Sequence, residues 1–414
     1  MNMDEQANKD QARADRGPFV SIIVPTYKEA ENLTPLVTSI AEAMAPLGRP
    51  YEVVIVDDNS QDGSAEVVAA LAGAGRPVRL ITRVDQRGLS SAVIRGFREA
   101  KGEVLVCMDA DLSHPPQALP KLIECLNDGE TELVIGSRYV RGGSTEEGWG
   151  LFRWLNSKVA TLLARPFTSV ADPMAGFFAM PRNVFGRATV LSPVGYKIAL
   201  ELIVKCRCRN IREVPIRFAK RKFGHSKLNL REQLNYIKHL KRLADYRYGA
   251  FSELLQFCIV GATGTVVDLA TYLLLLILLV PRVDVALAAA IGAGAGARKL
   301  AGGLSVGLGR AMAIWVAMTW NFFFNRRLTF SHSRLGKVLP QYWRFVLACS
   351  LGALVNWSIG VALPAKYAFF YRHKLYAAVV GIIAGIAFNY VLSRYWVFRR
   401  LLHSVPQPVK SPDR

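Results

Sequence analysis

The sequence predicts an α/β domain with a parallel sheet, followed by an α-helical membrane domain of four transmembrane helices. Three observations carry this. Short runs of apolar, β-branched residues alternate with helical segments as far as about residue 245, a pattern that builds a parallel sheet with helices on both faces. Four long apolar stretches follow, at 253–280, 311–325, 342–363 and 375–393, most of them approaching the roughly 20 residues that a spanning helix needs. Between the two parts the charge is concentrated: Arg217 to Arg247 holds ten Lys or Arg and only two acids, Glu232 and Asp245.

The elements follow in order. Residues 1–17 are polar and read as disordered. FVSIIVPTY (19–27) is a strand closed by a Pro-containing turn, and a helix starts near Glu31 and runs through Leu36, Ile40 and Met44. YEVVIVDDNSQDGS (51–64) repeats the arrangement, with Asp57 and Asp58 at the strand end and a turn that caps the next helix. VRLITR (78–83) is a third strand, 88–100 a helix, EVLVCMDADLSHPP (103–116) a fourth strand ending in two acids, and ELVIGSRY (132–139) a fifth. The stretch 286–309 is rich in Ala and Gly, is interrupted by Arg298 and Lys299, and is expected to be a poor helix.

The membrane part contains a repeat. FCIVGATGTVVD from Phe257 matches FVLACSLGALVN from Phe345, and NFFFNRRLTF (321–330) matches NYVLSRYWVF (389–398). Each half reads as a two-helix hairpin ending in an aromatic and arginine cluster at an interface. Gly261, Gly264, Gly352 and Gly360 are expected to let helices approach closely.

The net charge of +20, from 52 basic and 32 acidic residues, suits either nucleic acid or an anionic membrane surface. Its position just ahead of the first span favours the membrane, and no nucleic-acid module is recognisable. Leu228, Leu234, Leu240 and Leu243 suggest interfacial amphipathic helices over 217–250. The six cysteines show neither zinc spacing nor a disulfide framework, so reduced thiols are expected. The N-terminus has no apolar h-region, and no signal peptide is expected.

The acids of the fourth strand carry the chemistry. Asp109 and Asp111, one residue apart at the carboxyl end of a strand, stand where open α/β sheets bind ligands. Two such carboxylates suit Mg²⁺ or Mn²⁺ bridging a diphosphate. A surface turn with hydrated acids is the plainer alternative, and the D-x-D alone does not choose between them.

The motifs around it do. VPTYKEAENL (24–33), VDDNSQDGS (56–64), GLSSAVIRGF (88–97), MDADLSHPP (108–116), GSRYVRGG (136–143), DPMAGFFAMPR (172–182), GYKIALELIVK (195–205) and RKFGHSKL (221–228) occur in fixed order. Together they resemble the polyprenyl-phosphate (dolichyl-phosphate) mannose synthases, inverting family 2 glycosyltransferases with a Rossmann-like GT-A fold. The resemblance covers roughly residues 19–245. Residues 253–398 resemble the four-helix GtrA-type membrane domain fused to some members.

The resemblance implies roles by position. Pro25, Tyr27, Glu29, Val56 and Asp58 would line the base and ribose of the donor, with Asp57 either in contact or capping the turn. Asp109 and Asp111 would hold the metal, with the Ala110 backbone beside the nucleotide. Ser113 stands where the family commonly has a Gln ligand. Arg138, Lys197 and Arg221 would surround the donor diphosphate, and with Asp111 form the catalytic set. Arg138, Arg153, Ser157 and Ser226 would hold the acceptor phosphate, and Ser226 with Lys227 would close a loop over bound nucleotide. His225 receives no role.

The expected reaction is transfer of mannose from GDP-mannose to dolichyl or polyprenyl phosphate with inversion. A phosphate monoester is already anionic, so it needs positioning rather than a strong base. A UDP-glucose or other UDP-sugar donor remains open, as does a lipid-linked sugar flippase in the membrane part. The expected partners are nucleotide sugar, polyprenyl phosphate and the bilayer, with no nucleic acid; a homo-oligomer is left open. The expected site is the cell membrane, multi-pass, with the catalytic domain in the cytosol and a polar tail at 401–414.

Overall fold

The computed structural model describes residues 19–145, 151–191, 198–219, 230–291 and 295–399. The chain divides into two compact units, Met1–Arg247 and Tyr248–Arg414. In the first, strands β1 (Val20–Thr26), β2 (Tyr51–Asp57), β3 (Val78–Thr82), β4 (Val104–Cys107), β5 (Leu133–Ser137), β7 (Phe178–Pro181) and β8 (Ile211–Pro215) form a seven-stranded sheet in the order β3-β2-β1-β4-β7-β5-β8. Two short strands, β6 (Ser144–Thr145) and β9 (Arg217–Phe218), pair separately in parallel.

The strands are near-continuous apolar runs because both faces are covered. One face packs Ile22, Val53, Ile55 and Val106 against the helices Ala30–Met44 and Leu119–Glu124. The other packs Ile23, Val54, Leu105 and Phe178 against Leu89–Glu99 and Ile198–Lys205. Each buried Leu, Ile or Phe contributes about 1.5–3 kcal/mol by leaving water.

The sheet departs from the expected all-parallel arrangement. Strand β7 runs antiparallel to both β4 and β5, so the sheet is mixed. FAMP is too short, and too continuous with the preceding turn, to announce itself by periodicity. Within 217–250, part of the segment joins the first unit. Arg217–Phe218 is strand β9, and the helix Leu230–Tyr248 buries Leu243 in a small core with Ala164, Phe167 and Leu200. Leu240 packs against the same core, whereas Leu234 and Ile237 are exposed; Leu228 lies outside the described residues.

In the second unit four helices are long and apolar enough to cross a membrane: Ala250–Leu278, Leu300–Thr329, Val338–Lys366 and Lys374–Val397. They pack as two hairpins, the first helix on the second and the third on the fourth. The Ala/Gly-rich stretch is helical after all, in Val280–Ile291 and in Ala295–Phe324. Alanine has the highest helix propensity of any residue, and glycine is tolerated where helices pack. Each hairpin ends in a π-helical turn, Asn325–Thr329 and Ser393–Val397, and the repeat is visible in the core: Phe330 stacks on Phe398 at 4.9 Å.

Of the four glycines expected at close approaches, two fit. A Cβ at Gly264 would collide with the Asn321 amide, and one at Gly352 with the Asn389 amide, whereas Gly261 and Gly360 face open space. Gly352→Ala should therefore cost about 1–3 kcal/mol of membrane-domain stability, while Gly360→Ala should be neutral. Denaturation midpoints in detergent test this. Equal midpoints for the two variants would refute the close contact.

Candidate functional site

The acid pair sits just beyond β4, in the loop that follows Cys107. Leu112 adopts φ 58°, a left-handed conformation uncommon for a residue with a side chain. The turn brings the Ser113 N–H to 3.1 Å from Asp111 Oδ1, and the Ser113 hydroxyl donates to the same oxygen. Asp111 is thus fixed by its neighbour, and Ser113 is fully buried beneath it. In this arrangement Ser113 orients a carboxylate.

His114, which the sequence reading passed over, organises the other acid. Its ring is buried, stacked on Phe177 at 5.3 Å and edge-on to Phe218 at 5.4 Å. The Asp109 N–H donates to His114 Nδ1 at 3.1 Å, which assigns the ring proton to Nε2. Burial pushes the His114 pKa down, against the pull of Asp109 and Asp111. A neutral ring that orients a loop follows. The signal available was the SHPP tail of the motif.

The donor set suits a hard divalent cation. Gly176 leaves space beside Asp109, since a Cβ there would stand 3.1 and 3.2 Å from its two carboxylate oxygens. Among the described residues, no group of three or more His, Cys, Asp or Glu is placed to hold a metal. An ion at Asp109 and Asp111 would therefore complete its shell with water and phosphate oxygens, as Mg²⁺ commonly does.

Arg138 follows β5, on the far side of β7. Its Nε and Nη2 donate to Asp172 Oδ2 and Oδ1 at 2.7 and 2.9 Å, and its backbone N–H adds a third bond at 3.2 Å. Asp172 is fully buried, and Glu213 accepts from the N–H groups of Ala171 and Asp172 at 2.8 and 3.0 Å. Burial disfavours the Arg138 cation, but the Asp172 carboxylate outweighs it and raises the pKa. The guanidinium also faces the rings of Tyr139 and Phe218, at 5.3 and 5.2 Å. Asp172 lies in a motif noted in the sequence, but its partnership with Arg138 spans β7 and was not legible there.

Ser157 comes to the same place. Its hydroxyl and the Tyr139 hydroxyl are 2.6 Å apart, and Lys158 lies over the Tyr139 ring at 5.0 Å. The structure thus joins Arg138, Tyr139 and the helix Leu151–Ala164 that carries Ser157. The backbone of Arg153 belongs to that helix, but its side chain, like Lys197, Arg221, His225, Ser226 and Lys227, falls outside the described set.

At the ends of β1 and β2 the expected nucleotide-binding residues divide. Tyr27 is exposed, flanked by Arg87 and Lys28 at 5.3 and 5.7 Å from its ring. Pro25 and Val56 are buried in the strands, and Ala110 is buried beside the acids. Glu29 accepts from Asn32 Nδ2 at 2.5 Å. Asp57 takes the turn-holding role: it accepts from the Ser60 N–H at 2.8 Å and from Thr26 Oγ1 at 3.2 Å. Asp58 is buried in an ion pair with Arg83, Nε to Oδ1 2.7 Å, and accepts the Gly88 N–H at 2.7 Å. Arg83 thus ties the end of β2 to the loop before the helix Leu89–Glu99, another link absent from the sequence reading.

Residues 21–188 match the family described as Glycosyl transferase family 2, and residues 256–398 match GtrA/DPMS, transmembrane domain. A dolichol-phosphate mannosyltransferase of Pyrococcus furiosus is 36% identical over 91% of this chain and 98% of its own length. Proteins of the same name from Mycosarcoma maydis and Saccharomyces cerevisiae are 46% and 44% identical, each over 56% of this chain and over 81% and 88% of their own lengths.

Proposed function

This chain belongs to the dolichol-phosphate mannosyltransferase family of family 2 glycosyltransferases, in the multi-pass form that carries a GtrA/DPMS transmembrane domain, and from that membership we propose that it transfers mannose from GDP-mannose to polyprenyl or dolichyl phosphate with inversion. The observation that carries the proposal is the pair Asp109 and Asp111 at the end of β4, two strands from the Arg138–Asp172 fork at the end of β5.

The chain's own residues have distinct tasks. The Ser113 hydroxyl and N–H fix Asp111, and His114 fixes the loop around Asp109. Bound Mg²⁺ or Mn²⁺ would supply charge neutralisation to the departing nucleoside diphosphate. Arg138, held by Asp172 and adjacent to Ser157 through Tyr139, supplies a fixed cation that offsets repulsion between the donor diphosphate and the acceptor phosphate. Lys197, Arg221 and Arg153 complete this cationic set in the proposed reading, with the Ser226 hydroxyl beside the acceptor phosphate and Tyr27, Glu29, Val56 and Asp58 at the nucleoside end. No general base is required, because the acceptor is already ionised. The catalytic unit faces the cytosol in this reading, supported by the Lys and Arg that precede the first span.

The test uses the purified full chain with polyprenyl phosphate and labelled GDP-mannose, UDP-glucose or another UDP-sugar, followed by mass spectrometry of the lipid. Mannosylated lipid from GDP-mannose alone is expected; labelling by a UDP-sugar alone would sink the assignment. Chelation should lower the transfer rate by roughly a hundredfold or more, restored by Mg²⁺ or Mn²⁺. Full-speed transfer in chelator would remove the metal from the account.

A further inference from the structure

The two hairpins of the membrane domain are related by sequence, so each serves as a control for the other. Glu253 stands four residues before Phe257, and Gln341 four before Phe345; Arg326 stands five after Asn321, and Arg394 five after Asn389. The structure pairs these matching positions crosswise between hairpins. Arg394 Nη1 lies 3.2 Å from Glu253 Oε2, and Arg326 Nε donates to Gln341 Oε1 at 2.8 Å. The geometry repeats, but the charge does not. One arginine faces a carboxylate and the other an amide.

The unbalanced side gathers further cations. Arg326 Nη2 donates to the carbonyls of Arg334 and Gly336 at 2.6 and 2.9 Å, and Arg334 donates to the Arg327 carbonyl. Carbonyls hold a guanidinium in place without neutralising it. Among the described residues of this unit, the ion pairs are Arg310–Asp268 and Arg394–Glu253, so Arg326, Arg327 and Arg334 have no acid partner there. These three line a cavity of about 610 Å³ whose remaining wall is Phe323, Phe324 and Leu328. It opens at the end of the span Leu300–Thr329, where a crossing helix meets the headgroups. Guanidinium groups suit phosphate oxygens, and an apolar wall suits the chain attached to them.

We propose that this cavity binds the phosphate of an anionic lipid headgroup, on the side of the membrane domain where Gln341 stands in place of a balancing acid. The site is built from residues of the second unit, whereas the acid pair and the Arg138 fork belong to the first, and it does not depend on which sugar the catalytic unit transfers. The plainer role, in which the arginines only lock the turn, predicts no lipid preference.

The full chain in detergent can be titrated with phosphatidylglycerol or phosphatidylcholine and followed by native mass spectrometry. Tighter retention of phosphatidylglycerol is expected, and it should fall about fivefold in Arg327→Gln and in Gln341→Glu, since each change removes or balances one charge. Arg327 is exposed, so Arg327→Gln carries the test if Gln341→Glu, which loses a bond to the Ser333 carbonyl, lowers the thermal midpoint. Equal retention of both lipids, or an undiminished preference in Arg327→Gln, overturns the proposal. Inorganic phosphate supplied alone separates the two sources of the anion: much weaker binding than the lipid supports a headgroup site, and equal binding overturns it.

Discussion

Asp111→Asn should leave a folded, membrane-bound protein whose transfer rate falls by roughly a thousandfold, equivalent to about 4 kcal/mol of transition-state stabilisation. Asparagine keeps the volume and the Oδ1 that accepts the Ser113 N–H and hydroxyl, so the turn at Leu112 should persist. What is lost is the negative charge. Label transfer to polyprenyl phosphate, read beside the thermal midpoint, separates the two effects. A rate within tenfold of the parent, with the midpoint unchanged, would show that the Asp111 charge is not used.

Asp172→Asn should be the most damaging single change to the catalytic unit. Asp172 is fully buried, and both of its oxygens receive Arg138. Its loss leaves an almost buried guanidinium facing an amide, and breaking one side of a buried pair costs about 3–5 kcal/mol. Hydrogen exchange in β5 and β7 should accelerate accordingly. The Arg138→Met/Asp172→Asn double variant should recover part of that protection while remaining inactive, because it removes the stranded charge along with the phosphate-facing cation. A double variant no better protected than Asp172→Asn would mean the cost lies in packing instead.

What could be read from the chain, and what could not, divides along sequence distance. Strands β1 to β5, the long apolar helices and the acid pair all announce themselves locally, through β-branched runs, uninterrupted hydropathy and a fixed motif order. Strand β7 did not, because four residues give too little periodicity and their direction is set by where the chain must return. The ion pairs Asp58–Arg83 and Arg138–Asp172 join residues tens of positions apart, and no local pattern records such meetings. Asp58 shows the consequence. Its place in the motif marks it as a nucleotide-lining residue, but the motif does not record that both of its oxygens also bond Arg83 and Gly88. The Ala/Gly-rich stretch is helical for a different reason: alanine propensity outweighs both its glycines and the Arg298–Lys299 interruption.

Strand β7 has a practical meaning for hybrid enzymes. It is hydrogen-bonded to β4 on one edge and β5 on the other, and the Asp172–Gly176 turn that feeds it binds Arg138 through Asp172 and leaves room beside Asp109 at Gly176. A graft that exchanges one side of the cleft with a homologue's, but cuts between residues 172 and 181, would splice two mismatched rulers. Crossover points for shuffling this scaffold belong outside that interval, so that the segment travels whole with both of its neighbours.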